Sequence, residues 1–384
     1  AGDRLVCHLP PSAAFIQVLV AAFWDDLSLV ITNPFEEPPS KDVLDRFDAR
    51  GGITDSTHST YWTASELSGP KQVRKLRTTQ SHEHTRHIRF FLQTSGTTGS
   101  GHWYGLSDRN IFSVLRSHLD VLESTDSALS YLPWHHCFGL VLGLMNHLFS
   151  NRIVYRDSTG GRDIEHLHSL MEEHQPDYLN AVPITVETLA KRYGSNIFDD
   201  FDEGIIGGAP LNHSQCDILN KTNFRVGYGQ TEASPGITLG DQGYFRPGYL
   251  GHPVGCKLRN TEESELEFYG DNACELEFID ENNGFEPKSA PRWSLTGDLG
   301  EHKTDGWYFI GRKSQSFKLP NGTFAHPTEL EQTICSCDDF IDDAFVDPQP
   351  STSLAVFVSL SETERLSEDM KNTIKQKIPY VDCV

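Results

Sequence analysis

Apolar positions along this chain gather into short runs, set between stretches of helical spacing. Residues 9–24 carry apolar side chains at the spacing of an amphipathic helix, and residues 27–31 read as a strand. The run at 88–92 predicts a buried strand. Ser107 then opens a helical pattern through Ile111, Val114, Leu115 and Leu119. Strand-like runs at 129–132, 152–155, 178–182, 203–206 and 224–228 alternate with helical patterns at 140–148, 164–174 and 215–219. Alternation at this spacing predicts parallel strands with covering helices. Residues 49–87 hold few apolar positions and predict a long connection or a thinly packed lobe.

Beyond about residue 240 the texture changes. Residues 240–253 are punctuated by Gly and Pro, and 266–269 and 275–279 alternate polar with apolar, as half-exposed antiparallel strands do. Strands at 341–346 and 354–358 and helices near 327–334 and 366–378 make a last small unit. The fold class this predicts is α/β: a large N-terminal domain of mixed and parallel sheets with covering helices, a small β-rich subdomain, then a small α+β C-terminal domain.

Length and charge narrow the picture. The 384 residues suffice for more than one domain, and a formal charge of −22 argues against a nucleic-acid or anionic-membrane partner. No apolar stretch is long enough to span a bilayer, and the run at 13–24 has no basic leader. Eight scattered cysteines, with no Cys-x-x-Cys pair, make reduced thiols in a cytoplasm the expectation. His82, His84 and His87 have a metal-like spacing, but their polar setting with Arg86 and Arg89 reads as a solvated segment.

The candidate chemistry starts at Gln93-Thr94-Ser95-Gly96-Thr97-Thr98-Gly99-Ser100-Gly101, directly after a predicted strand. Glycines let backbone approach a bulky anion, and hydroxyls with consecutive N–H groups can cradle phosphate oxygens. Gly96 and Gly101 have Walker spacing, but His102-Trp103 stands where Lys-Ser/Thr is required, so a P-loop ATPase is disfavoured.

The run Thr94 to Gly99 resembles the phosphate loop of the adenylate-forming superfamily: acyl- and aryl-CoA synthetases, peptide-synthetase adenylation domains and luciferases. Four further stretches follow in that superfamily's order. Leu132-Pro133-Trp134-His135-His136-Cys137-Phe138-Gly139 resembles the segment whose histidine, here His136, lies against the substrate carboxylate. Gly207-Gly208-Ala209-Pro210 resembles the wall of the adenine and acyl pockets. Gly227-Tyr228-Gly229-Gln230-Thr231-Glu232 is similar to the Tyr-Gly-x-Thr-Glu motif, which implies Tyr228 stacked on adenine, Thr231 on the α-phosphate and Glu232 on Mg²⁺. Thr296-Gly297-Asp298 and Asp305 to Arg312 resemble the pair that reaches the ribose, through Asp298, and the ribose or phosphate, through Arg312.

The resemblance is closest to acyl- and aryl-CoA synthetases. It implies that a fatty or aryl acid attacks ATP to give an acyl-adenylate and pyrophosphate, and that CoA or the phosphopantetheine of an acyl carrier protein then captures the acyl group. It puts an N-terminal domain at 1–312, abbreviated at its start, and a mobile C-terminal domain at 313–384, apparently truncated. An α-amino acid is disfavoured, because His136 stands where peptide-synthetase domains place an aspartate. The chain departs from the pattern at two lysines. The loop lysine is absent, leaving His102 as a partial replacement, and the chain stops just before the stretch that carries the adenylation lysine. Those departures keep two other readings open: a non-catalytic nucleotide- or acyl-binding relative, and a carrier-loading domain of a larger assembly line.

Overall fold

A computed structural model describes residues 3–39, 41–49, 51–55, 61–63, 88–94, 102–280, 284–288, 290–318, 324–337, 341–348, 354–360, 367–378 and 381–383. Ser95, Gly96, Thr97, Thr98 and Gly99, and the histidines at 82, 84 and 87, lie outside the described residues.

Two eight-stranded sheets and one three-stranded sheet build the larger part. In the first, Arg4–His8, Ser28–Ile31 and Ile88–Gln93 run parallel at the centre. Their side chains meet the helices Ala13–Trp24 and Asp108–Leu119 in a core that includes Phe15, Leu19, Phe90, Leu92, Ile111, Val114 and Leu115. Ser12 caps the first helix, accepting from the Phe15 N–H, so it begins four residues later than the apolar pattern suggests. Ser107 and Asn110 form a reciprocal capping box at the start of the second.

The order of elements between Gln93 and the helix at Asp108 differs from the strand and helix read in the sequence. A second strand, Trp103–Ser107, intervenes before the helix and pairs antiparallel with Ile88–Gln93, with Gln93 opposite Trp103. All five of its residues are buried, and Trp103 packs edge-on against Phe47. Residues 94–102 therefore join two strands, not a strand to a helix.

The small sheet is parallel, with Ser127–Ser130 between Ile153–Arg156 and Tyr178–Leu179. Bridges at Tyr178–Glu203 and Ala181–Ile206 link it to the second large sheet. There Ile205–Gly207 runs parallel to Arg225–Gly229, while the remaining strand pairs are antiparallel. The two alternating strands after residue 260 divide between sheets. Glu265–Gly270 joins the second, and Leu276–Asp280 returns to the first beside Trp103–Ser107. Between them Asn110 Nδ2 donates to the Asp271 and Ala273 carbonyls at 2.7 and 2.9 Å, so the crossover is tied to a helix start.

The last unit has its own core of Ile334, Ile341, Val346, Val356, Met370, Ile374 and Ile378. Helices Pro327–Cys335 and Glu368–Lys377 pack on the sheet of Ile341–Pro348, Leu354–Leu360 and Val381–Cys383, the α+β arrangement expected.

Candidate active site

A cavity of about 500 Å³ opens where the second sheet meets the last unit. Its walls include Gly208, Ala209, Tyr228, Gly229, Asp298 and Arg312, from four separate stretches of the sequence. Thr328, Glu331, Gln332 and Cys335, from the helix Pro327–Cys335, complete it. A smaller, mostly apolar cavity of about 60 Å³ shares Gly208, Gly227, Tyr228 and Gly229 with it and also takes in Gly207.

The glycines here do different work. A Cβ on Gly207 would stand 2.5 Å from the Gly227 carbonyl oxygen, so that glycine serves strand pairing. Gly208, at φ +88, would meet only Val182 at 3.4 Å. It offers bare backbone to both cavities.

Antiparallel pairing puts Asp298 opposite Arg312. Arg312 Nε lies 3.0 Å from Asp298 Oδ1, and the Tyr228 hydroxyl donates to Oδ2 at 2.9 Å. The Arg312 N–H is not aligned on Oδ1, which accepts no hydrogen bond although it is buried. One carboxylate oxygen is therefore left to receive a donor from within the cavity. Burial raises the Asp298 pKa, against the opposing pull of Arg312 and Tyr228.

Thr231 and Glu232 lie in the tight turn Thr231–Ala233, two residues past Gly229, and line neither cavity. The Glu232 backbone is pinned by the Cys274 N–H at 2.8 Å. Its side chain lies within electrostatic reach of Tyr104, on the strand Trp103–Ser107. Burial raises the Glu232 pKa, Glu277 adds to the rise, and Tyr104 opposes it. The Thr94 N–H and hydroxyl both donate to the His102 carbonyl, at 2.9 and 3.3 Å.

The His135 and His136 rings pack against each other, tilted by 45° with centroids 4.3 Å apart. Burial lowers both pKa values, that of His135 to about 3, so the pair is neutral at pH 7. His136 lines neither cavity, but the wide π-type helix Phe138–Met145 begins two residues later, and Phe138 walls the smaller one. Gly139 lets that helix close on the preceding turn, since a Cβ there would sit 2.2 Å from the Pro133 carbonyl oxygen.

The sheltered, hard carboxylate of Glu232 fits Mg²⁺, which binds proteins through one or two carboxylates and completes its shell with phosphate oxygens and water. Among the described residues no cluster of three or more His, Cys, Asp or Glu side chains could hold a metal by itself. Sequence reasoning overlooked Tyr104 and His118 in the smaller cavity; it predicted the helix near 327–334 but not its place in the cavity wall. His118 was signalled by a polar residue on an apolar helical stripe with Ile111, Val114 and Leu115.

Comparisons with known proteins give the family and the fold. The model of the AMP-binding enzyme family matches residues 25–269. The chain is 28% identical to a probable 4-coumarate–CoA ligase 1 of Dictyostelium discoideum over 72% of this chain and 54% of that protein. It is 24% identical to long-chain-fatty-acid–CoA ligase 6 of Rattus norvegicus over 62% and 43% respectively. It thus spans about half the length of the curated relatives it matches. The fold superposes with a TM-score of 0.77 on O-succinylbenzoate coenzyme A synthetase of Bacillus subtilis in complex with ATP and magnesium, at 18% identity over 99% of this chain and 85% of that one. For the anthranilate CoA ligase AuaEII in complex with anthranoyl-AMP the TM-score is 0.79, at 18% identity over 100% and 84%.

Proposed function

Because the chain belongs to the AMP-binding enzyme family, we propose that it activates a carboxylic acid with ATP and passes the acyl group to a thiol. The observation that carries this reading is the convergence of Gly208, Tyr228, Gly229, Asp298 and Arg312 on one cavity that shares a wall with a smaller apolar one. The larger cavity takes the nucleotide, with Asp298 Oδ1 accepting from a ribose hydroxyl. The smaller takes the acid.

In the first half-reaction a carboxylate oxygen bonds to the α-phosphorus, and the bond to the pyrophosphate oxygen breaks. In the second a thiol sulfur attacks the acyl carbon, and AMP leaves. Two anions must meet in the first step, so catalysis is chiefly positioning and charge neutralisation. Glu232 would hold Mg²⁺, which supplies positive charge at the triphosphate. Thr231 donates to the α-phosphate, and Ser95, Thr97 and Thr98 supply loop hydroxyls. His136, being neutral, can donate one hydrogen bond to the incoming carboxylate without carrying a charge. The acceptor is CoA or a carrier-protein phosphopantetheine. Residues 1–312 act as the adenylating domain and 313–384 as a small domain that moves between half-reactions. A cytoplasmic setting suits a chain of net charge −22 with scattered thiols. No described helix is long and apolar enough to cross a membrane.

Acid-dependent exchange of labelled pyrophosphate into ATP, screened over aryl and aliphatic acids, tests the reading. The missing loop lysine favours a second one, a nucleotide-binding relative without turnover. Thermal stabilisation by ATP with no exchange for any acid would select it.

A further inference from the structure

The smaller cavity contains a hydrogen-bonding feature that acid activation does not require. It is walled by the bare backbone of Gly207, Gly227, Gly229 and Gly236, with Phe138, Leu142 and Leu239 as apolar sides. Three polar side chains reach its lining: Tyr228, Thr238 and His118. The first two are committed. Tyr228 donates to Asp298, and the Thr238 hydroxyl donates to the Leu250 carbonyl.

His118 is not committed on both sides. It is 1% exposed, at the end of the apolar stripe of the helix Asp108–Leu119. Its Nδ1 stands 2.9 Å from the Val114 carbonyl oxygen, which can only accept, so Nδ1 carries the proton. Burial lowers the pKa to about 4, leaving the ring neutral. Nε2 is then a lone-pair acceptor, and no described residue is recorded as donating to it. The ring edge bearing Nε2 and Cε1 lies over Gly236, where a Cβ would come within 2.6 and 2.2 Å of those atoms. Gly236 is held in turn by Asn272 Nδ2, which donates to its carbonyl at 2.8 Å. The chain thus gives up a side chain at Gly236 to seat an imidazole in the acid pocket. His118 lines the cavity, so a ligand there can supply the donor to Nε2.

Size and shape narrow the ligand. At roughly 10–15 Å³ per water-sized group, about 60 Å³ holds about four to six such groups, a single ring or a short chain. Flat glycine walls suit a ring. We propose that the acid is a small aryl carboxylate bearing a hydroxyl or amino group away from its carboxylate, and that His118 Nε2 accepts a hydrogen bond from that group. This rests on the acid-activation reading.

The test is a matched panel in the exchange assay: benzoate, its ring hydroxy and amino isomers, the fluoro and methoxy analogues that cannot donate, and hexanoate. At least one donor-bearing isomer should exceed its fluoro analogue in kcat/KM by about 10- to 100-fold, because a site built to bond a donor discriminates against its absence. In His118→Leu that ratio should fall to about 1. Equal rates for donor and fluoro analogues, a preference for hexanoate, or an unchanged ratio in His118→Leu would overturn the proposal. The wild-type panel decides even where the variant does not fold. If no acid supports exchange, acid activation is refuted. Calorimetric titration of the same acids then judges the pocket separately: selective binding of donor-bearing rings sustains the assignment of His118, and its absence refutes it.

Discussion

At the scale of single residues the site is a set of unpaid electrostatic costs. Asp298 is 2% exposed and burial raises its pKa, so it protonates more readily folded than unfolded. With the folded pKa above the unfolded one, Asp298 costs nothing below the unfolded value and detracts from stability as pH rises through the folded one. Asp298→Ala should therefore leave the melting temperature at pH 7 unchanged or raise it, while ATP affinity measured by calorimetry drops about tenfold or more with the lost ribose acceptor. A lower melting temperature with intact ATP affinity would remove Asp298 from the nucleotide site. Glu232 makes a different prediction. A hard cation takes its ionised form, and burial raises its pKa above the ordinary value of about 4.3. At limiting Mg²⁺, exchange should fall on the acid side at a pH above the usual carboxylate range, and saturating Mg²⁺ should push that limb downward by competing with the proton. A limb that ignores Mg²⁺ would mean that Glu232 is not the ligand.

At the scale of elements, the bulge between Tyr228 and Gly229 sets the site's geometry. Gly229 faces Gly236 across the pair, and a Cβ on it would fall 1.5 Å from the Pro235 carbonyl oxygen. Backbone cannot yield as a flexible side chain can. Gly229→Ala should cost about 2–4 kcal/mol in urea unfolding and should lower exchange as Tyr228 and Glu232 are displaced together. A cost under about 0.5 kcal/mol would show slack in the bulge. The sequence made such motifs legible because their chemistry is local: Tyr228 to Glu232 occupy five consecutive positions, and the helix at 164–174 has a clean apolar period that the structure reproduces as Ile164–His174. Elements whose identity depends on distant partners were harder to read. Trp103–Ser107 is a strand because Ile88–Gln93 and Leu276–Asp280 flank it. The helix Pro183–Tyr193 was hidden by a proline that sits harmlessly at its first turn. Alternation at 275–279 showed strand character but not which sheet would receive it. His118 was visible as a polar residue on an apolar stripe, yet only coordinates put Gly236 and an acid-sized cavity beside it.

At the scale of the whole molecule, the nucleotide cavity is shared between the second large sheet and the last unit. Gln332 and Cys335 line it opposite Tyr228 and Asp298, although the last unit has a core of its own. Lys313 spans the junction at 2.7 Å from Glu263 and 2.8 Å from Glu265, at the position where the family resemblance puts the hinge. The Glu263 partner is exposed, so that pair is weak and salt-screened, whereas Glu265 is buried and holds Lys313 from the sheet side. A nucleotide in the cavity should then shield Cys335 from solvent, whereas Cys337, two residues on and outside the lining, provides an internal reference. Alkylation followed by mass spectrometry should show the Cys335-to-Cys337 rate ratio falling severalfold when ATP and Mg²⁺ are added. If the last unit moves after adenylate formation, adding the acid as well should raise the ratio again, because the helix carrying Cys335 leaves the cleft. A ratio indifferent to ATP would separate the nucleotide from this cavity, and a ratio that falls but ignores the acid would leave the last unit fixed through the first half-reaction.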